Sequence, residues 1–219
     1  MANRSMAERR GSRAMFKAAG LGLSWLLPLA LAALLSGCGK PTGMDAAPLV
    51  LKGVDLSGAN YARELALPDQ DGRMRSLAEF KGKVLVLFFG YTQCPEVCPT
   101  TMAELAQVKK SLGPQGDSVQ GIFVTLDPER DTPEILKRYV ANFDPTFVAL
   151  HGTPAQTQAA AKEFKVYYAK VPGKTAGSYT LDHTAASFVF DKQGRVRVFE
   201  RYGADPQDVA ADLKALINE

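Results

Sequence analysis

Two cysteines stand four residues apart in FFGYTQCPEVCPTTMAEL, the stretch from Phe88 to Leu105: Cys94 and Cys98. Thiols at this spacing can close a disulfide, attack a substrate or grip a metal ion. The apolar run VLVLFFGY ends just before them and a helical periodicity begins at Glu96, so the pair falls at a strand-to-helix junction. The first turn of a helix carries unpaired N–H groups and a partial positive charge, which favour thiolate over thiol. Depressed pKa values are therefore expected for both cysteines. Positions i and i+4 share a helical face, so the two sulfurs can meet, and Pro95 and Pro99 stiffen the loop around them.

C-x-x-C is the usual redox spacing, and C-P-E-V-C is one residue longer, which leaves more room for an ion between the sulfurs. Zinc wants four ligands, so two thiolates are a poor closed site for it. Copper(I) accepts two or three soft ligands, and thiolate with imidazole suits it. Only two histidines can complete such a set, His151 and His183. His183 lies in SYTLDHTAASFVFD, in the loop entering the first strand of a C-terminal hairpin, with Asp182 beside it as a group that could orient the ring or tune its charge. His151, in FVALHGTPA, follows another strand end; a turn histidine is the plainer reading, with an extra metal contact as the alternative.

The elements that must hold these side chains alternate. RELALPDQDGRMRSL reads as a hairpin around Asp71-Gly72. VLVLFFGY and SVQGIFVTLD read as strands buried on both faces, the second ending at Asp127. A helix over Glu96–Leu112 separates them. DTPEILKRYVANF opens a second helix with Asp131 or Thr132 as N-cap and Pro133 at its first position. FVAL is a short strand, Gln156–Phe164 a helix, KVYYAKV a strand, and ASFVFDKQGRVRVFERY a hairpin around Gln193-Gly194. DPQDVAADLKALINE closes the chain as an amphipathic helix capped by Asp205. This order predicts an α/β domain of thioredoxin-like fold with an added N-terminal β-hairpin, and sites in such sheets lie beyond the carboxyl ends of the strands. Asp127, Arg130 and Asp131 of LDPERDTPE either turn the chain and cap the next helix or support the cysteine loop as an ion pair. Tyr91 and Thr92 read as packing and turn residues.

Residues 1–37 carry the marks of an export signal: basic Arg4, Arg9, Arg10, Arg13 and Lys17, an apolar run over Ala18–Leu35, then LSGC ending at Cys38. That ending resembles the bacterial lipobox, in which the cysteine is lipidated and becomes the new N-terminus. The alternative is an uncleaved anchor, since a run of about 18 residues approaches the length that spans a bilayer. Either way the remainder is expected on the outer, periplasmic side of the inner membrane. Residues 38–50 read as a flexible tether and 51–219 as one globular domain. The signal holds five of the 26 Lys+Arg and one of the 23 Asp+Glu, so the rest of the chain carries a net charge of −1 and offers no basic face for nucleic acid. With Cys38 lipidated, Cys94 and Cys98 are the remaining cysteines, in a compartment where disulfides persist.

YTQCPEVCPTTMAEL, TLDPERDTPEILKRYV and YTLDHTAASFVFD together resemble the SCO/SenC family of copper-binding assembly factors, over about residues 50–219. The resemblance implies one copper ion, Cu(I) or Cu(II), with Cys94, Cys98 and His183 in the ligand positions. It implies a metallochaperone that helps build the dinuclear copper centre of cytochrome c oxidase subunit II. Other periplasmic copper carriers and thiol reductants are further expected partners. The competing reading is a thiol–disulfide oxidoreductase in which Cys94 attacks, Cys98 resolves and His183 has no required part. A peroxiredoxin, echoed by VCPT, needs a threonine three residues before its cysteine, where this chain has Tyr91 or Pro95. A blue-copper site needs two histidines and one cysteine.

Overall fold

The computed structural model describes residues 49–219, so the export signal, Cys38 and most of the expected tether lie outside the described residues. In chain order the elements are β1 (Val54–Asp55), β2 (Ala66–Pro68), β3 (Met74–Ser76), β4 (Val84–Gly90), α1 (Val97–Ser111), β5 (Val119–Thr125), α2 (Pro133–Ala141), β6 (Val148–Leu150), α3 (Pro154–Glu163), β7 (Tyr168–Pro172), β8 (Tyr179–His183), β9 (Ala186–Phe190), β10 (Val196–Arg201) and α4 (Pro206–Asn218). Among the described residues no helix is long and apolar enough to cross a membrane.

Every residue of β4 and β5 is buried, because both faces of these strands are covered. They pair in parallel at the middle of a sheet ordered β1-β10-β9-β4-β5-β6, with β6 also parallel and β9, β10 and β1 antiparallel. The period of two along β4 sorts its side chains. Val86 and Phe88 face α1 and α4, which also present Leu105, Val108 and Val209 there. Phe89 turns to the opposite face and meets Phe164, just past α3, edge-on at 5.1 Å. Phe188 packs against Phe164 at 5.3 Å and Phe199 at 5.4 Å, giving that face an aromatic layer.

Two helices, α2 and α4, start on the signals read in the sequence, and α3 starts two residues before the expected Gln156 on a cap of the same kind. Thr132, Thr153 and Asp205 cap α2, α3 and α4 through their side chains, each followed by a proline. Of the two N-cap candidates for α2, Thr132 takes the role. The N-terminal hairpin is β2 with β3, and it docks on the exposed edge of β6: His151 N–H donates to Pro68 O (2.8 Å) and Gln70 N–H to Ala149 O (3.1 Å). Covering that edge removes a row of unpaired backbone groups.

Two features depart from the expectation. The strand after α1 stops at Thr125, two residues before Asp127. The stretch carrying His183 is not a loop but strand β8, paired antiparallel with β7 in a separate two-stranded ribbon, Tyr168 opposite His183. Its residues alternate in burial without an apolar run, because the ribbon stands off the main sheet.

Phe188→Ala should lower the unfolding free energy by about 3–5 kcal/mol in urea titrations, because Phe188 is 1% exposed at the centre of the aromatic layer. A loss below about 1 kcal/mol would place the core elsewhere.

Candidate metal centre

Cys94, Cys98 and His183 converge beyond the carboxyl end of β4. Their donor atoms lie within 4.8 Å of one another, forming the one group of three potential ligands found among the described residues. Both cysteines are free thiols. The fold explains the meeting. β4 delivers the chain to the loop, α1 begins at Val97 with Cys98 in its first turn, and β8 brings His183 across the top. Cys98 Sγ stands 3.6 Å from His183 Nε2.

Unlike the other helices, α1 has no side-chain bond from its N-cap residue, Glu96. Instead the sulfur of Cys94 accepts the Cys98 N–H at 3.4 Å, so a thiol does the work of the cap. His183 Nδ1 lies 3.0 Å from the Thr184 carbonyl. A carbonyl only accepts, so Nδ1 carries the proton and the Nε2 lone pair faces the sulfur. Asp182, expected to orient the ring, is exposed and leaves that task to the backbone of Thr184. Phe88 and Tyr91 flank the imidazole edge-on, each with ring centroids 6.0 Å away.

The environment of Cys98 overturns the expectation of two depressed thiols. Burial pushes the Cys98 thiol far up, and the Cys94 sulfur and Asp131 push the same way; the Tyr91 N–H opposes them without prevailing. The helix N-terminus is outweighed because Cys98 is fully buried, and desolvation penalises the thiolate. Burial also lowers the pKa of His183, against the pull of the Thr184 carbonyl and Asp182. A neutral imidazole and a protonated thiol therefore face each other. Two sulfurs, one imidazole nitrogen and no carboxylate make a soft donor set, which fits a copper ion better than magnesium or calcium.

Around this set the DPERD stretch fastens the loop, as a support and not only as a turn. Asp131, 0% exposed, accepts from Thr92 N–H (3.0 Å), Thr92 Oγ1 (2.5 Å) and Thr125 Oγ1 (2.6 Å). Arg130 pairs with Asp127, donates to Gln93 Oε1 (3.2 Å) and Tyr179 O (2.9 Å), and lies 3.6 Å over the Tyr179 ring. Tyr179 O–H donates to Asp127 at 2.7 Å, so one cluster joins the cysteine loop, the end of β5 and the strand that carries His183. His151 is seated elsewhere, with Nε2 3.2 Å from the Pro128 carbonyl, outside the three-residue group. Tyr91 and Thr92 are packing and anchoring residues, also outside it.

Sequence reasoning missed Gly90. A Cβ there would lie 2.9 Å from Cys98 Sγ, 2.8 Å from the Phe88 ring and 2.9 Å from the Phe123 ring. Only a bare Cα lets the sulfur pack onto the strand end. The glycine in FFGY before the cysteine loop was a signal that could have been read as such a close approach.

A thioredoxin-like sheet with two thiols and an imidazole at the end of its central strand defines a class of metal- and thiol-handling proteins. The chain belongs to the SCO1/SenC family, whose sequence model matches residues 55–218. It is 32% identical over 152 residues to a SCO2-like protein of Rickettsia felis, covering 69% of this chain and 74% of that protein. Across four Rickettsia relatives the matched share of their length runs from 63% to 74%. Among solved structures it resembles ScoI of Bradyrhizobium japonicum with copper bound, at 41% identity and a TM-score of 0.64, over 70% of this chain and 97% of that one. Apo Sco1 of Thermus thermophilus aligns at 39% identity and a TM-score of 0.67, over 78% and 99%.

Gly90→Ala should displace the Cys98 sulfur, cost about 1–3 kcal/mol in chemical denaturation, and speed alkylation of Cys98 in site-resolved mass spectrometry. Unchanged stability and unchanged Cys98 labelling would show that the close approach imposes nothing.

Proposed function

We propose that this chain is a membrane-tethered copper metallochaperone serving the dinuclear copper centre of cytochrome c oxidase subunit II. Cys94, Cys98 and His183 hold one copper ion as cargo. The observation that carries the reading is the imidazole nitrogen 3.6 Å from the Cys98 sulfur, with its lone pair turned toward it. A dithiol redox site has no need of that nitrogen, whereas a three-coordinate soft site does. Membership of a family of copper-binding oxidase assembly proteins, and the likeness to a ScoI structure with copper bound, support the same assignment. The domain is taken to be residues 51–219, held by lipid on Cys38 at the outer side of the inner membrane.

Each residue then has a definite task. Cys98 is buried and gives up its proton only as the ion takes the proton's place. His183 is already neutral, so it offers a lone pair without a deprotonation step. Cys94 is the more accessible thiol, and acceptor thiols meet the cargo there first. Transfer proceeds by ligand exchange, with protons returning to Cys94 and Cys98 as sulfur is released. Copper keeps its oxidation state throughout.

The thiol–disulfide reading also has one observation in its favour: both sulfurs are free and within 4.8 Å of each other. Oxidation of the pair would remove both thiolates, so redox state gates loading under either reading.

Anaerobic Cu(I) titration of the reduced protein against a competing chelator should give one tight equivalent. Cys98→Ser and His183→Ala should each weaken it by at least about tenfold. Unaltered affinity in His183→Ala would sink the three-ligand site and leave a redox couple. Affinity should also fall with falling pH. Because the raised pKa of Cys98 keeps its proton in place across the neutral range, binding displaces at least that proton, a slope of about tenfold per pH unit. The lowered pKa of His183 adds nothing to this slope near neutrality. A pH-independent affinity between about pH 6 and 8 would show that Cys98 is not deprotonated on binding.

A further inference from the structure

The segment Lys52–Asp55, near the start of the described residues, is held by a buried carboxyl pair, one on α4 and one on β10. Asp212 of α4, 1% exposed, accepts the Lys52 N–H on Oδ1 (2.7 Å) and Oδ2 (3.0 Å), and the Gly53 N–H on Oδ2 (2.8 Å). Glu200 of β10, 6% exposed, lies against the same segment: a Cβ on Gly53 would come within 2.8 Å of its carboxyl group. Glu200 Oε1 is buried with no donor, while the Glu200 carboxyl contacts that of Asp212. Two carboxylates in contact are not readily both ionised in a buried site, whereas one shared proton makes an O–H···O⁻ bond between them.

The neighbouring charges do not relieve the pair. Asp208 of α4 adds negative charge, and Glu104 of α1 lines the same pocket. Lys52 and Arg201 border the site with exposed side chains, and Lys52 serves Asp212 through its backbone. We propose that Glu200 and Asp212 form a one-proton latch fastening Lys52–Asp55 to α4, and that loss of the proton frees this segment while the sheet and the cysteine–histidine site stay folded. The strand it releases is β1, two residues paired with Phe199 and Val198, between Leu51 and Leu56, which stay packed on the core.

The direction follows from the environment of Glu200. Burial, then the contact with Asp212 and its charge, raise its pKa from 4.5 to about 7. A raised carboxyl pKa stabilises the latch fully below the ordinary value, and the stabilisation is lost as pH climbs through about 7. The latch is therefore closed in mildly acidic surroundings and opens in mildly alkaline ones. It does not depend on the copper reading.

Hydrogen exchange on the full-length chain in detergent micelles, corrected for intrinsic exchange rates, tests this. Protection of the Lys52 and Gly53 amides should fall roughly thirtyfold between about pH 5.5 and 8.5, while the β4 amides keep theirs. Glu200→Gln donates an amide N–H to Asp212 at every pH and should give a flat profile. Asp208→Asn should move the midpoint to lower pH and keep the fall. A flat wild-type profile, a fall that β4 shares, or a fall that persists in Glu200→Gln overturns the latch; the wild-type profile alone decides if the variants do not fold.

Discussion

One buried carboxylate organises the metal centre. Asp131 sits at the junction of β5 and α2, with no exposed surface, and takes three hydrogen bonds from Thr92 and Thr125. Burial raises its pKa; the Thr125 and Thr92 hydroxyls and the Thr92 N–H pull it back. Such a group is tolerated only because its acceptors are filled, and those bonds fix the loop between β4 and α1. Cys94 is two residues beyond Thr92 and Cys98 six. The position of both sulfurs thus depends on a residue that touches neither. The parallel pairing of β4 with β5 sets the distance that Asp131 bridges, Gly90 opposite Thr125.

The second half of the site comes from the other end of the chain. His183 arrives on the β7–β8 ribbon, which the Arg130–Asp127–Tyr179 cluster holds to the cysteine loop. LDPERD therefore works on both sides, Asp131 on the cysteine loop and Asp127 with Arg130 on the histidine strand. Desolvation then sets the chemistry. The imidazole is held neutral and the Cys98 thiol protonated, so a soft cation bound between them displaces a proton from Cys98.

Much of this was legible in the sequence because it is local. The Thr-Pro and Asp-Pro helix starts, the apolar runs of β4 and β5 and the turn at Asp71-Gly72 each announce themselves within a few residues. The three candidate ligands were legible too, through residue type and spacing. What was hidden depends on contacts across space. Gly90 is required by a sulfur eight residues away, and Asp131 looks like one of two capping candidates until Thr92 is seen against it. β8 has no apolar run because its ribbon stands off the sheet, so it read as a loop. The thiol expectation failed for Cys98 because the helix-terminus rule says nothing about burial.

The central claim is that Cys94, Cys98 and His183 share one ion. X-ray absorption at the copper edge, on the reduced protein loaded with one equivalent of Cu(I), tests it most directly. The account predicts a shell of two sulfurs and one imidazole nitrogen, with the nitrogen lost in His183→Ala and one sulfur lost in Cys98→Ser. A shell of sulfur alone in the wild type, or one unchanged by His183→Ala, would contradict it.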